Sequence, residues 1–393
     1  MKRVLEFRFI WAPLSILFLG FLYSLITGTA FAIPEDYFDA VNYRWIATEG
    51  YHLDFLTAYF PGFPFIWSLF NGALLPMVFV NGLLWFASMI LLRRYLPLKS
   101  SSLLVASVMP GVLFFFLPYS ESLFFFLTAL IAIGVHRRSW ALILTGMLFA
   151  AMTRPTSAVL VPAVGVALFL KESNSRNALL KTSLVGVIGL IGVFFVLLIQ
   201  SAYTGSLWSF FNVQNEHWGN GISFPKLPFY SWGGDLVTMI DGTSLFIGLA
   251  AGVTLVRTIG SRRNLRPVHY FGFAGLFFTA LLVIFTRGGG IFSLNRFILA
   301  TAFFPIALDG WSRLKVFRKD ILIFGIGWIL TSLAVGSYLH FQAILVWLMM
   351  GGIVATVFVA LSNRNVRTIT VLGVILFTSY WLIHFVLREK WIG

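Results

Sequence analysis

Thr182-Ser-Leu-Val-Gly-Val-Ile-Gly-Leu-Ile-Gly-Val-Phe-Phe-Val-Leu-Leu-Ile-Gln-Ser-Ala-Tyr203 carries no charged residue. An α-helix rises about 1.5 Å per residue, so a run of this length crosses the ~30 Å hydrocarbon core of a bilayer. Its apolar residues are continuous rather than alternating, which excludes a membrane β-barrel strand. Working outward along the 393-residue chain, the same reading predicts spans near 9–30, 74–92, 101–117, 121–135, 139–153, 156–170, 182–203, 243–256, 268–286, 297–312, 321–339, 342–361 and 368–387. Residues 60–73 add a short or re-entrant helix. The expected fold is an all-α polytopic membrane protein of about 13 transmembrane helices, with short interfacial helices in its external loops. It forms one transmembrane domain over residues 1–393.

Composition agrees. Of the residues, 59% are AVILMFWYC and only 11% are charged, against about 25% charged in a soluble domain. This excludes an ordinary soluble enzyme, a disordered chain and a nucleic-acid-binding module. Cysteine is absent, which excludes disulfides, thiolate metal sites and cysteine nucleophiles. Met1-Lys2-Arg3, an apolar run and Ala30-Phe31-Ala32 have the outline of a cleavable signal peptide. The run exceeds the ~7–15 residues of a signal core, so it is read as an uncleaved first helix.

The net charge of +14 follows from topology. With the N-terminus in the cytoplasm, all but seven of the 28 basic residues fall on cytoplasmic turns, as the positive-inside rule requires. The seven are Arg44, Arg154, Lys226, Arg287, Arg296, Arg388 and Lys390. Glu35, Asp36, Asp39, Glu49, Asp54, Glu121, Glu216 and Asp235 fall on the opposite, external side. Chemistry is therefore expected there, and the external arginines need a reason other than topology.

The external loops supply candidates. Residues 38–48 suit a helix lying in the interface, with Phe38, Val41, Trp45 and Ile46 toward lipid and Asp39 and Tyr43 sharing a face at i, i+4. Asp39 suits a general base toward a hydroxyl, or simply a helix cap or solvated acidic loop. Tyr59-Phe60-Pro61-Gly62-Phe63-Pro64 reads as a rigid turn feeding a helix. Glu121, at the mouth of an apolar hairpin, suits a dipole-stabilised first-turn acid, a sugar ligand or a group that orients another. Arg154 suits snorkelling to headgroups or pairing with a phosphate or carboxylate. Val213-Gln-Asn-Glu-His-Trp-Gly-Asn220 combines amide, acid, imidazole and indole, which suits carbohydrate and equally a wet interfacial loop. The glycines of Arg287-Gly-Gly-Gly-Ile-Phe-Ser-Leu-Asn-Arg296 let backbone approach a ligand closely. Arg296 at a helix start opposes the macrodipole, and a bound anion would compensate. No two histidines have metal-ligand spacing.

Taken in order, these pieces resemble a family. Phe38-Asp39-Ala40, Tyr43, Ile46-Ala47, Gly50-Tyr51, Tyr59-Phe60-Pro61 and Pro64 are followed by Pro118-Tyr119-Ser120-Glu121-Ser122-Leu123-Phe124, Thr153-Arg154-Pro155, Gln214, Trp218-Gly219, Ser293 and Arg296-Phe297. The set, over about residues 38–305, resembles the integral-membrane glycosyltransferases of the C superfamily. It is most similar to the mannosyltransferases that add the second mannose in glycosylphosphatidylinositol synthesis and their prokaryotic relatives. The chain departs from that pattern at Phe38, where the family has Trp, and at Asn42, where it has His.

The resemblance implies an inverting transferase that moves a sugar, mannose first, from a polyprenyl- or dolichyl-phosphate donor to an acceptor hydroxyl on a glycolipid or other molecule. Asp39 would deprotonate the acceptor. Arg154, Arg296 and Arg287 would bind the donor phosphate. Glu121, Tyr43, Gln214, His217 and Trp218 would bind sugar or acceptor. No cofactor or metal is implied; Glu35 and Asp36 leave room for a divalent cation that is not itself predicted. The membrane would be a prokaryotic plasma membrane or the endoplasmic reticulum. The competing reading is a transporter or flippase for a phosphate-bearing lipid-linked substrate, which usually places charges or broken helices at midplane.

Overall fold

The structure, a computed structural model, describes residues 8–28, 38–172, 174–232, 234–260, 265–314, 318–336, 351 and 364–383. Glu35 and Asp36 lie outside the described residues, as do the expected span 342–361 apart from residue 351 and the end of 368–387. The helices are α1 (Arg8–Thr27), α2 (Asp39–Glu49), α3 (Gly62–Ser68), α4 (Leu74–Tyr95), α5 (Ser100–Ala106), α6 (Glu121–Arg137), α7 (Trp140–Thr153) and α8 (Leu160–Phe169). They continue with α9 (Ser175–Thr204), α10 (Ser209–Glu216), α11 (Asp235–Gly260), α12 (Pro267–Thr286), α13 (Leu294–Leu299), α14 (Phe303–Arg313), α15 (Arg318–Gly336) and α16 (Arg364–Trp381). Among the described residues there is one isolated β-bridge, Tyr230 to Gly290, and no strand.

By length and composition four helices are apolar enough to cross a membrane: α4, α9, α11 and α12. Shorter apolar helices pack among them, and the chain is a membrane-embedded all-helical protein. The four divide by surroundings. α11 and α12 are mostly buried. α9 buries only a stripe, Ala178, Val185, Gly189, Gly192, Val196 and Gln200. Its small residues let it pack closely on α7. The rest of α9, including Leu190, Phe194 and Leu198, is exposed. An apolar surface this long is lipid-facing.

Three expected spans are interrupted. The run 101–117 is α5 followed by a 3₁₀ turn, Pro110–Phe115. The run 156–170 is a 3₁₀ turn, Pro155–Val159, followed by α8. The run 297–312 is α13 and α14 with a break at 300–302. The first two breaks follow from proline, which lacks an N–H and drives the preceding residue to extended backbone. Met109 has ψ 151° and Arg154 has ψ 141°.

The helices alternate in direction, so basic helix ends gather at one end of the bundle. There Arg137 stacks over Tyr95 at 4.3 Å, and Lys171 Nζ donates to Val135 O at 2.9 Å. Buried Asp309 accepts from Arg313 Nε at 2.6 Å and from Lys99 N at 2.7 Å, and pairs with His269 Nε2 at 3.0 Å. The N-termini of α6 and α11 and the C-termini of α7 and α12 lie at the other end, with α2 and α3. α2 forms as expected, with Phe38 exposed, but Ile46 is buried rather than lipid-facing. The reason is that α2 packs on α3 and carries its Ala40, Tyr43 and Ile46 face inward.

Candidate functional site

Local backbone rules aim four charged side chains inward at this second end. Asp39 is the first residue of α2, after Phe38 with φ 44°; an acid in the first turn is favoured by the helix dipole. Glu121 opens α6. Arg154 precedes Pro155, and its extended backbone turns it off the end of α7 and back into the bundle. Arg296 lies in α13, which starts after Ser293 in the left-handed region (φ 63°). Gly62 lets α3 close on α7, since a Cβ there would sit 2.8 Å from Met152 O.

The four form one network. Glu121 Oε1 accepts from Arg154 Nη1 at 2.8 Å and from Arg296 Nε at 2.5 Å. Arg296 Nη1 donates to Asp39 Oδ2 at 2.6 Å. Asp39 Oδ1 accepts from the Tyr59 hydroxyl at 3.1 Å, whose oxygen accepts from Asn42 Nδ2 at 2.8 Å. Arg154 also faces the Phe297 ring at 4.9 Å, and Arg296 faces Tyr119 at 4.8 Å. The anions that compensate Arg296 are thus the chain's own carboxylates.

Polar residues of the spanning helices hold the surrounding turns. Asn81 Nδ2 donates to Leu117 O and Tyr119 O, at 2.5 and 3.0 Å, fixing the turn before Glu121. Gln200 Nε2 donates to Thr57 O at 2.8 Å, and the Tyr51 hydroxyl to Tyr59 O at 2.9 Å. Buried Asp241 of α11 accepts from Ser231 Oγ at 2.5 Å and from Asn295 N at 2.8 Å. It ties the segment at Ser231 to the first turn of α13.

A cavity of about 510 Å³ opens beside the network, within the range of small-ligand sites. Asp39, Tyr43, Tyr59, Arg154, Arg287 and Arg296 line it together with Gln214, Trp218, Asn220 and Trp232. Phe210, Phe211, Ile222, Leu282 and Val283 complete an apolar part of the lining. Ile222 and the neighbouring Phe224 are almost fully exposed, so the apolar lining runs out to an exposed apolar surface.

Of the residues singled out by sequence, Asp39, Arg154, Arg296, Arg287, Tyr43, Gln214 and Trp218 share this cavity. Two do not line it. His217 is exposed beyond the end of α10. Glu121 has no exposed surface and lies behind the arginines it pairs with, so it orients them and has no face for a sugar. Tyr43 turns its hydroxyl to Ser120 Oγ at 3.0 Å. Burial pushes the Tyr43 phenol up to about 12. Burial and then the Asp39 charge push Tyr59 up as well, so both phenols stay protonated. Gln214 Oε1 accepts from Asn220 Nδ2 at 2.6 Å. Arg287 Nη1 donates to Phe292 O, and its guanidinium lies 4.0 Å over the Phe292 ring, which stacks on Trp232 at 4.0 Å.

The triple-glycine run serves a different purpose from the one expected. Gly289 (φ 104°) would place a Cβ 2.4 Å from Lys226 O. Lys226 N donates to Gly288 O at 3.1 Å and Ile291 N to Tyr230 O at 2.8 Å. The close approach is to the chain's own segment 221–230. Asn220, at the end of the Val213–Asn220 stretch, lines the cavity too, whereas Tyr59 and Trp232 are cavity residues given no site role from sequence. Tyr59 lies in a stretch read as a turn, and it counts toward the family resemblance without a role of its own.

No protein-family model, curated protein or solved structure matches the chain.

Proposed function

We propose that the protein is an inverting glycosyltransferase using a polyprenyl- or dolichyl-phosphate sugar, with mannose the first sugar to try. The observation that carries this reading is the joint lining of one cavity: a carboxylate, three arginines and an apolar flank that runs out to exposed Ile222 and Phe224. A lipid phosphodiester presents the matching parts, a hydrocarbon tail, one anion and a hydroxyl-rich head. Arg154, Arg287 and Arg296 bind the phosphate. Trp218 and Gln214 meet the sugar by stacking and hydrogen bonding.

In the reaction, Asp39 Oδ2 takes the proton of the acceptor hydroxyl. The acceptor oxygen bonds to the anomeric carbon as the bond from that carbon to the phosphate oxygen breaks. The electron pair leaves with the lipid phosphate, and the arginines stabilise the charge that develops there. Attack opposite the leaving group inverts the anomeric centre. The proposal places this end of the bundle outside the cytoplasm or in the lumen, in a topology of about 13 spans of the C-superfamily type.

One observation favours a transporter instead: two interrupted helices meet, with Gly111 of the 110–115 turn against Leu299 and Ala300. Broken helices are common at transport sites. The breaks here are lined mainly by apolar residues, and the charges gather at the two ends of the bundle rather than at the breaks. The test uses purified protein with polyprenyl-phosphate-[labelled]mannose and a membrane-lipid extract. A transferase gives a new labelled product and releases polyprenyl phosphate. In sealed vesicles, movement of intact donor across the bilayer with no product would support the transporter.

A further inference from the structure

This inference rests on the reading that the cavity holds a lipid phosphate. Asp39 is already engaged by the chain's own side chains. Oδ2 is held by Arg296 and Oδ1 by Tyr59. Asn42 donates to the Tyr59 oxygen, which commits the phenol's own proton to Asp39. Arg296 is anchored at one edge, with Nε fixed on fully buried Glu121. Its other edge reaches Asp39, whose side chain is 16% exposed and lines the cavity beside Arg154 and Arg287. A phosphate entering between these arginines therefore meets Asp39 as a competitor for Arg296 Nη1.

We propose that Arg296 is an exchange contact. The donor phosphate displaces Asp39 from Arg296 Nη1, and only then does Asp39 Oδ2 become available for the acceptor's proton. Binding is thus ordered, donor before acceptor. Glu121 keeps Arg296 in place through the exchange, and Tyr59 keeps the released carboxylate aimed at the cavity, as a positioning residue. The arrangement gives a base that is occupied until the group it serves has arrived.

The consequence runs against the usual expectation for a catalytic carboxylate: removing its charge should improve binding of the donor's leaving group. The probe is farnesyl phosphate, a short polyprenyl monophosphate, titrated into the full-length protein in detergent. Asp39→Asn should bind it about tenfold tighter than wild type, equivalent to about 1.4 kcal/mol. Glu216→Gln removes an exposed acid at the same end without touching Arg296, and should change affinity less than about twofold. In an Arg296→Gln background the gain from Asp39→Asn should disappear, because the competed contact is gone. An equal gain in both backgrounds would reduce the effect to long-range charge and overturn the exchange. Should Arg296→Gln fail to fold, the comparison of Asp39→Asn with Glu216→Gln decides alone: equal gains overturn the proposal. Wild-type binding with no tightening in Asp39→Asn overturns the exchange and leaves the donor reading intact. No binding by either protein overturns both.

Discussion

Glu121→Gln keeps the side chain's shape and removes its charge. The carboxylate is fully buried and holds two guanidinium groups on one oxygen, at 2.8 and 2.5 Å. For scale, one pair of unit charges 4 Å apart is worth about 4 kcal/mol at an effective dielectric near 20. Part of that is offset, because a buried carboxylate costs several kcal/mol of lost hydration. Breaking a buried pair by removing one partner costs about 3–5 kcal/mol. Gln still offers an oxygen at the Oε1 position. Its NH₂ falls where Oε2 makes no hydrogen bond among the described residues. We therefore take the low end, about 3 kcal/mol. Arg154 loses its carboxylate, while Arg296 keeps Asp39. The variant should unfold at lower temperature in detergent. It should also transfer sugar about 100-fold more slowly, equivalent to about 2.7 kcal/mol of barrier. Tryptophan fluorescence on heating and label transfer under saturating donor read the two effects. A sugar-binding role for Glu121 predicts something different, a raised KM with an unchanged unfolding midpoint. Wild-type stability together with wild-type turnover would refute the reasoning, because a buried anion supporting two arginines cannot be removed silently.

Further predictions follow from the same geometry. Tyr59→Phe deletes two hydrogen bonds, one to Asp39 and one from Asn42, each worth about 1 kcal/mol, and should slow transfer about fivefold to tenfold with a small drop in the unfolding midpoint; unchanged turnover would remove Tyr59 from the site. His217→Ala should be neutral in both activity and stability, since the side chain is exposed outside the cavity, whereas Trp218→Ala should raise the donor KM; the reverse pattern would return His217 to the site. The absence of cysteine gives a clean background for labelling: Asn215→Cys, exposed on α10, should react with a membrane-impermeant maleimide in intact cells or sealed luminal-side-out vesicles. Arg138→Cys should react only after permeabilisation, and labelling of both from one side would break the proposed topology.

The chain announces its long apolar helices because hydropathy is a local property, and Thr182–Tyr203 falls inside α9, one of four helices long and apolar enough to cross a membrane. The interruptions were less visible. Pro110 and Pro155 sit in runs so apolar that each reads as one helix, although proline is the reason each is not. The break at 300–302 has no proline and depends on packing that sequence does not display. At the site, Arg154 and Arg296 were legible because the positive-inside rule left them unexplained. The partners they chose were not legible, since Glu121 and Arg296 are 175 residues apart. Glu121 was thus open to a sugar role that its burial removes. The triple glycine signalled close backbone approach correctly in kind, but the approached group, Lys226, lies far back in the sequence. Gln200 and Asn81 look like isolated polar residues in apolar helices until the turns they hold are seen.

The central claim is that Asp39 is the base of a glycosyl transfer from a lipid phosphate. Its most direct test is transfer of label from polyprenyl-phosphate-mannose to a lipid-extract acceptor, by purified wild type beside Asp39→Asn, with farnesyl phosphate binding measured on both. The account predicts product from wild type, none above background from Asp39→Asn, and phosphate binding retained or tightened in the variant. Equal product from both proteins would contradict it and take Asp39 out of the reaction.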